Sequence, residues 1–137
     1  MAKRKLPHPE RCLFCDQEAE DIQHILTTCV FTRDFWFRVL SSFGLQLCVP
    51  SRHESSFLEW WRRSAKKIQK DKRKGFNTLV ILSAWIIWKH RNACVFEGAR
   101  PSLDNLFQAF KDEYHLWCLA GARSLNSLSA AQAIGLG

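Results

Sequence analysis

No stretch of this sequence is apolar for long enough to cross a bilayer. The longest such run, residues 79–88, is ten residues with a serine inside it, against the ~20 that a helical span needs. The basic start, Met1-Ala2-Lys3-Arg4-Lys5, is not followed by the apolar segment of a secretory signal. The expectation is therefore a chain kept in a reducing compartment, without a disulfide framework. Catalytic signatures are missing as well. There is no Tyr/Phe-x-Asp-Asp pair to hold polymerase metals, no glycine-rich phosphate loop and no Gly-x-Ser-x-Gly. The acids fall at scattered helix starts and surface positions, so an enzyme is not expected. Carboxylates are scarcest where bases are densest: residues 62–74 hold eight basic side chains and one acid, Asp71.

What is present points to a folded, metal-binding chain. The 137 residues are 47% hydrophobic and 12% aromatic, which suits one domain, or a small metal module followed by a helical one, rather than disorder. Six cysteines with no secretory leader favour metal binding. Four possible ligands fall within eighteen residues as Cys12-x2-Cys15-x8-His24-x4-Cys29. The first pair lets a tight turn aim two thiolates at one point, and a short helix presents His24 and Cys29. That donor set suits a structural zinc ion, which takes four thiolate or imidazole ligands and keeps no open position. Two other readings compete. The Cys-x2-Cys pair is also the spacing of a redox pair, although no β-α-β pattern surrounds it, and all four residues can be buried without any metal.

The same stretch carries a resemblance. Lys3-Arg4, Cys12, Cys15, Glu20, His24, Cys29 and Trp36 stand in the order and spacing of the zinc-binding domain at the C-terminal end of plant LINE-type (non-LTR) retrotransposon reverse transcriptases. Trp85-Ile86-Ile87-Trp88, Arg91-Asn92 and Phe96 resemble a W-x2-W-x2-RN-x3-F segment that follows the module in such proteins. The resemblance spans about residues 2–98. It implies zinc as the cofactor, a transposon origin, and nucleic acid or a reverse transcriptase core as partner.

The rest of the chain reads as mainly α: a Cys3His module over 1–48, a three-helix, bundle-like region over 49–121, and a loose tail over 122–137. Pro7 and Pro9 keep the lead extended. A helix over 19–27 places His24 and Ile25 inward, with Glu18, Glu20 and Asp21 favouring its N-terminus. Phe31, Phe35, Trp36, Val39, Leu40 and Phe43 share one face of a helix that Gly44 stops; core packing outweighs base stacking for Phe31 and Trp36. Cys48 and His53 have no partner at ligand spacing, and His115 with Cys118 lacks two further donors.

Ser56-Phe57-Leu58-Glu59 is a capping box. It opens a helix with Phe57, Leu58, Trp61, Ala65 and Ile68 inward. Arg62, Arg63, Lys66, Lys67, Lys70, Arg73 and Lys74 lie on the opposite half, forming a phosphate-contacting stripe for nucleic acid. A solvated face and an anionic membrane surface are the competing readings, and the same residues suit nuclear import. Gly75 is expected to end that helix and Asn77 or Thr78 to cap the next, a central one apolar on nearly every side, with Trp85 and Trp88 in the core. Lys89, His90 and Arg91 then complement its C-terminal dipole, and Cys94 is a small buried hydrophobe. Ser102 caps a last helix, with Leu103, Leu106, Phe107, Phe110, Tyr114, Trp117 and Cys118 inward and Gly121 as the stop. The function expected is non-catalytic, zinc-dependent nucleic-acid binding in the nucleus rather than the cytoplasm. Docking on a polymerase core or another protein is the alternative.

Overall fold

The computed structural model describes residues 11–121. The proline-containing lead, apart from Arg11, and the tail over 122–137 lie outside the described residues. The architecture is mainly helical. Among the described residues the only strand-type pairing is one isolated bridge, Arg11 to Ala19. It closes a knuckle in which Cys12 N–H donates to the Glu18 carbonyl and Asp16 N–H to that of Cys12. Asp16 sits at φ +55°, a left-handed turn that aspartate tolerates better than most residues.

A π-helical turn, His24–Thr28, follows and is shorter than the helix expected from residue 19. The residues before it are occupied by the knuckle. Asp21 Oδ1 accepts the His24 N–H at 2.9 Å and so starts the turn. The turn ends at Cys29, where the backbone swings to ψ 135° and α1, Val30–Ser41, begins. Carbonyls freed by that swing are caught by side chains of α1. Thr32 Oγ1–H donates to the Ile25 carbonyl at 2.6 Å and Trp36 Nε1–H to that of Leu26 at 2.9 Å. Gly44 (φ +71°) stops α1 as expected, with Leu45 N–H returning to the Leu40 carbonyl at 2.8 Å.

The helix α2, Phe57–Lys66, starts on the Ser56 cap, whose side chain accepts from Glu59 N–H. Its buried face differs from the expected one. Trp60 and Ser64 are buried, Phe57, Trp61 and Ala65 flank them, and Leu58 is exposed. Trp60 decides this orientation: its ring lies 4.8 Å from that of Trp36 and its indole N–H donates to the Cys48 carbonyl at 2.7 Å.

Gly75 does not break a helix. After α2 the chain makes a short 3-10 turn, Lys70–Lys72, and α3 runs Arg73–Phe96 with Gly75 buried in its first turn. Neither proposed cap acts as one. Asn77 Oδ1 accepts the Trp61 indole N–H at 2.8 Å, and Thr78 Oγ1–H donates back to the Lys74 carbonyl. The helix α3 is central, touching α1, α2 and the π-helical turn, and packing against α4, Leu103–Leu119. It is not apolar-buried all round, however: Ile81 is 50% and Trp85 51% exposed. The Ser102 cap on α4 forms as expected, its side chain accepting from Asn105 N–H, and Gly121 follows at φ +101°. Leu106 and Phe110 of its stripe are buried, and the remainder pack at the margin of the core. That core is continuous from Cys12, Ile25 and Cys29 through Phe35, Trp36, Trp60 and Leu79 to Phe110. Among the described residues no helix is long and apolar enough to cross a membrane.

Candidate metal centre and basic corner

The knuckle and the π-helical turn bring Cys12, Cys15, His24 and Cys29 together, with their ligand atoms all within 4.8 Å of one another. Cys12 Sγ lies 3.7 Å from Cys29 Sγ, and Cys15 Sγ 3.3 Å from His24 Nε2. A tetrahedron with the usual zinc bond lengths has edges of about 3.8 Å between sulfurs and about 3.6 Å between sulfur and nitrogen, so these pairs are near coordination geometry. Cys12, His24 and Cys29 are buried and Cys15 is half-buried.

The electrostatics fit a cation. Hydrogen bonding to Cys29, aided by burial, pushes the Cys12 thiol far up, while the same bond holds Cys29 below its usual value. The two sulfurs stand 3.7 Å apart, in the place where a divalent ion satisfies both. Burial holds His24 below the ordinary histidine range, which keeps its imidazole neutral and its Nε2 lone pair available. Thr28 Oγ1 lies 3.2 Å from Nδ1, and with Nε2 committed to a metal the protonated Nδ1 donates to it. That contact orients the ring as outer-shell partners of metal-bound histidines do. Three sulfurs and one imidazole are a donor set zinc prefers, and four protein ligands leave no position for substrate. Among the described residues this is the only cluster of three or more potential metal ligands. Cys48 and Cys94 are buried apart from it, while His53 is exposed.

The C-terminal half of α3 serves the metal module rather than its own dipole. Arg91 and Glu20 form a buried pair, Nη2 to Oε1 at 2.7 Å and Nε to Oε2 at 3.2 Å, 71 residues apart in sequence. His90 stacks at 5.6 Å from Phe14 and 6.1 Å from Phe31 and accepts Ser102 N–H on Nε2. Sequence reasoning placed Glu20 at a helix start and Arg91 at a helix end; their pairing has no local signature. Nor did it single out Thr28, whose i+4 spacing from His24 was the available signal.

The basic residues do not form one helical stripe. They turn a corner across the end of α2, the 3-10 turn and the start of α3. Arg62 pairs with Glu59 at 2.8 Å and Arg63 with the side chain of Glu54 at 2.6 Å. Burial works to raise the Glu54 carboxyl, but the Arg63 and Ser51 hydrogen bonds outweigh it and hold it low. Arg73 is half-buried and caps α2, its Nε donating to the carbonyls of Ala65 at 2.8 Å and Ile68 at 3.0 Å. Lys66, Lys67, Lys70 and Lys74 are exposed and make no ion pair among the described residues.

No curated protein and no solved structure matches the chain. The stretch that builds the centre is recognisable: residues 1–36 match the family described as zinc-binding in reverse transcriptase, and the four donors gathered by the fold fit zinc.

Proposed function

We propose that this chain is the non-catalytic accessory part of a plant LINE-type retrotransposon reverse transcriptase, or a remnant of one. In this reading Cys12, Cys15, His24 and Cys29 hold a structural zinc ion, and the basic corner binds nucleic acid inside the nucleus. The observation that carries the nucleic-acid part is the set Lys66, Lys67, Lys70 and Lys74, four exposed ammonium groups at one corner with no carboxylate partner among the described residues. Arg62 and Arg63, already paired, contribute less, and Arg73 is mainly a cap. Phosphate contacts of this kind release counterions, so affinity falls with salt at close to one log-log unit per neutralised phosphate on duplex DNA. Titration of the zinc-loaded protein with fluorescent RNA and DNA at several salt concentrations tests this. Lys66→Glu/Lys67→Glu/Lys70→Glu should weaken binding at least tenfold and reduce the slope by about three. Unchanged affinity between low and physiological salt overturns the nucleic-acid assignment and leaves the zinc assignment standing.

A further inference from the structure

The exposed face of α3 carries an apolar groove beside the basic corner, with which it shares Lys74. Ile22 just before the π-helical turn, Leu26 within it, Trp61 from α2, and Ile81, Trp85 and Trp88 from α3 line an open groove of about 350 Å³. Ile22, Ile81 and Trp85 are each at least half exposed to solvent. Tryptophans of a monomeric protein are normally drawn into its core, and contiguous apolar surface rimmed by charge marks an interaction site.

The charges around the groove say what covers it. Lys74, Thr78, Ile81, Trp85 and Lys89 follow at i, i+4, i+7, i+11 and i+15 along one face of α3. At ~1.5 Å per residue the two lysines bracket a stripe of about 22 Å. Lys74 is exposed, and Lys89 Nζ sits 5.7 Å from the Trp85 ring centroid. Neither makes an ion pair among the described residues. The groove walls are apolar throughout, with indole N–H groups as their only side-chain polar atoms, and that of Trp61 is already donated to Asn77. A nucleobase or sugar brings acceptors and donors that such walls leave unpaired. Moreover Lys89 lies over Trp85 and Arg91 over Trp88, 4.8 Å from its centroid, so cations already lie against the two α3 indoles of the groove. A helix satisfies its own backbone and can offer a dry face. We infer that this groove docks an amphipathic helix of a partner protein, its apolar stripe edged by carboxylates that meet Lys74 and Lys89.

The probe is a synthetic amphipathic helix of about 15 residues with leucine and phenylalanine at i, i+3, i+4 and i+7, made once with glutamate edges and once with lysine edges. Tryptophan fluorescence and anisotropy follow its binding to the full, zinc-loaded chain. The glutamate-edged helix should bind at least tenfold more tightly than its lysine-edged twin. Ile81→Glu, at an exposed position, should abolish binding while circular dichroism and zinc content stay unchanged. Lys74→Glu/Lys89→Glu keeps the groove intact and should reverse the preference between the two peptides, so the inference does not depend on one variant folding. Equal binding of both peptides, or of neither, overturns it. So does a concentration-dependent dimer that Ile81→Glu dissolves, which would make a second copy the occupant. Displacement of the peptide by single-stranded oligonucleotide, with oligonucleotide binding lost in Ile81→Glu, would assign the groove to nucleic acid instead.

Discussion

At the scale of single residues, the centre depends on groups that are not ligands. Thr28 is one turn beyond His24, and its hydroxyl holds the imidazole N–H on the side away from the sulfurs. Thr28→Val keeps the shape and removes the acceptor. The expected outcome is a zinc affinity at least about tenfold weaker, the range seen when outer-shell partners are removed, with the fold retained when zinc is in excess. Chelator competition measures it, and Thr28→Ser should recover most of the loss. An affinity for Thr28→Val within twofold of wild type would mean that packing alone orients His24. The four donors were legible from their spacing because metal geometry imposes it locally. The Glu20–Arg91 pair was not, because nothing in a sequence aligns two residues 71 positions apart. Trp60 was left off the inward face, where Trp61 was expected, for a related reason: helical periodicity alone allows either inward, and the choice is made by Trp36 and the Cys48 carbonyl on other elements.

At the scale of elements, α1 and α4 were readable since their stripes and stop glycines agree with one another, and in α4 the Ser102 cap agrees with both. The corner between α2 and α3 was not. Gly75 is a stop signal only where the chain needs a left-handed residue, and here it lies inside a helical turn instead. The true end of α2 is made from beyond it, by Arg73 reaching back to three carbonyls, those of Ala65, Ile68 and Lys66. This separates two roles within one run of positive charge. Arg73→Met should destabilise the fold by about 2 kcal/mol, the scale of hydrogen bonds to a charged donor. Arg73→Lys should recover little of it, because an ammonium does not reproduce the planar fork. Substituting Lys66 or Lys70 by methionine, at exposed sites, should change stability by no more than about 0.5 kcal/mol. Chemical denaturation of these variants tests the division. Equal losses at Arg73 and Lys70 would return all of these residues to a single electrostatic surface.

At the scale of the whole molecule, the metal module and the helices share one interior. Cys12, Phe14, Ile25 and Cys29 belong to the same buried cluster as Trp36, Trp60, Leu79 and Phe110. The ties that cross between them include the Trp36 indole on the Leu26 carbonyl, His90 against Phe14 and Phe31, and Arg91 on Glu20. A buried pair of this kind contributes little net stability while both partners are held. Stranding one of them costs about 3–5 kcal/mol. Loosening the knuckle that carries Glu20 therefore exposes Arg91 to that penalty in the C-terminal half of α3. A structural zinc ion contributes roughly 10–16 kcal/mol of apparent binding energy in small zinc peptides, so its removal acts on the helices as well as on the knuckle. Chelation should lower the melting temperature of the entire chain, with far-ultraviolet circular dichroism and tryptophan fluorescence shifting together in one transition. Were the module only an appendage, stripping zinc would leave the helical melt in place. An unchanged helical transition after chelation would therefore show that these ties carry no cooperativity and that α1–α4 fold without the metal.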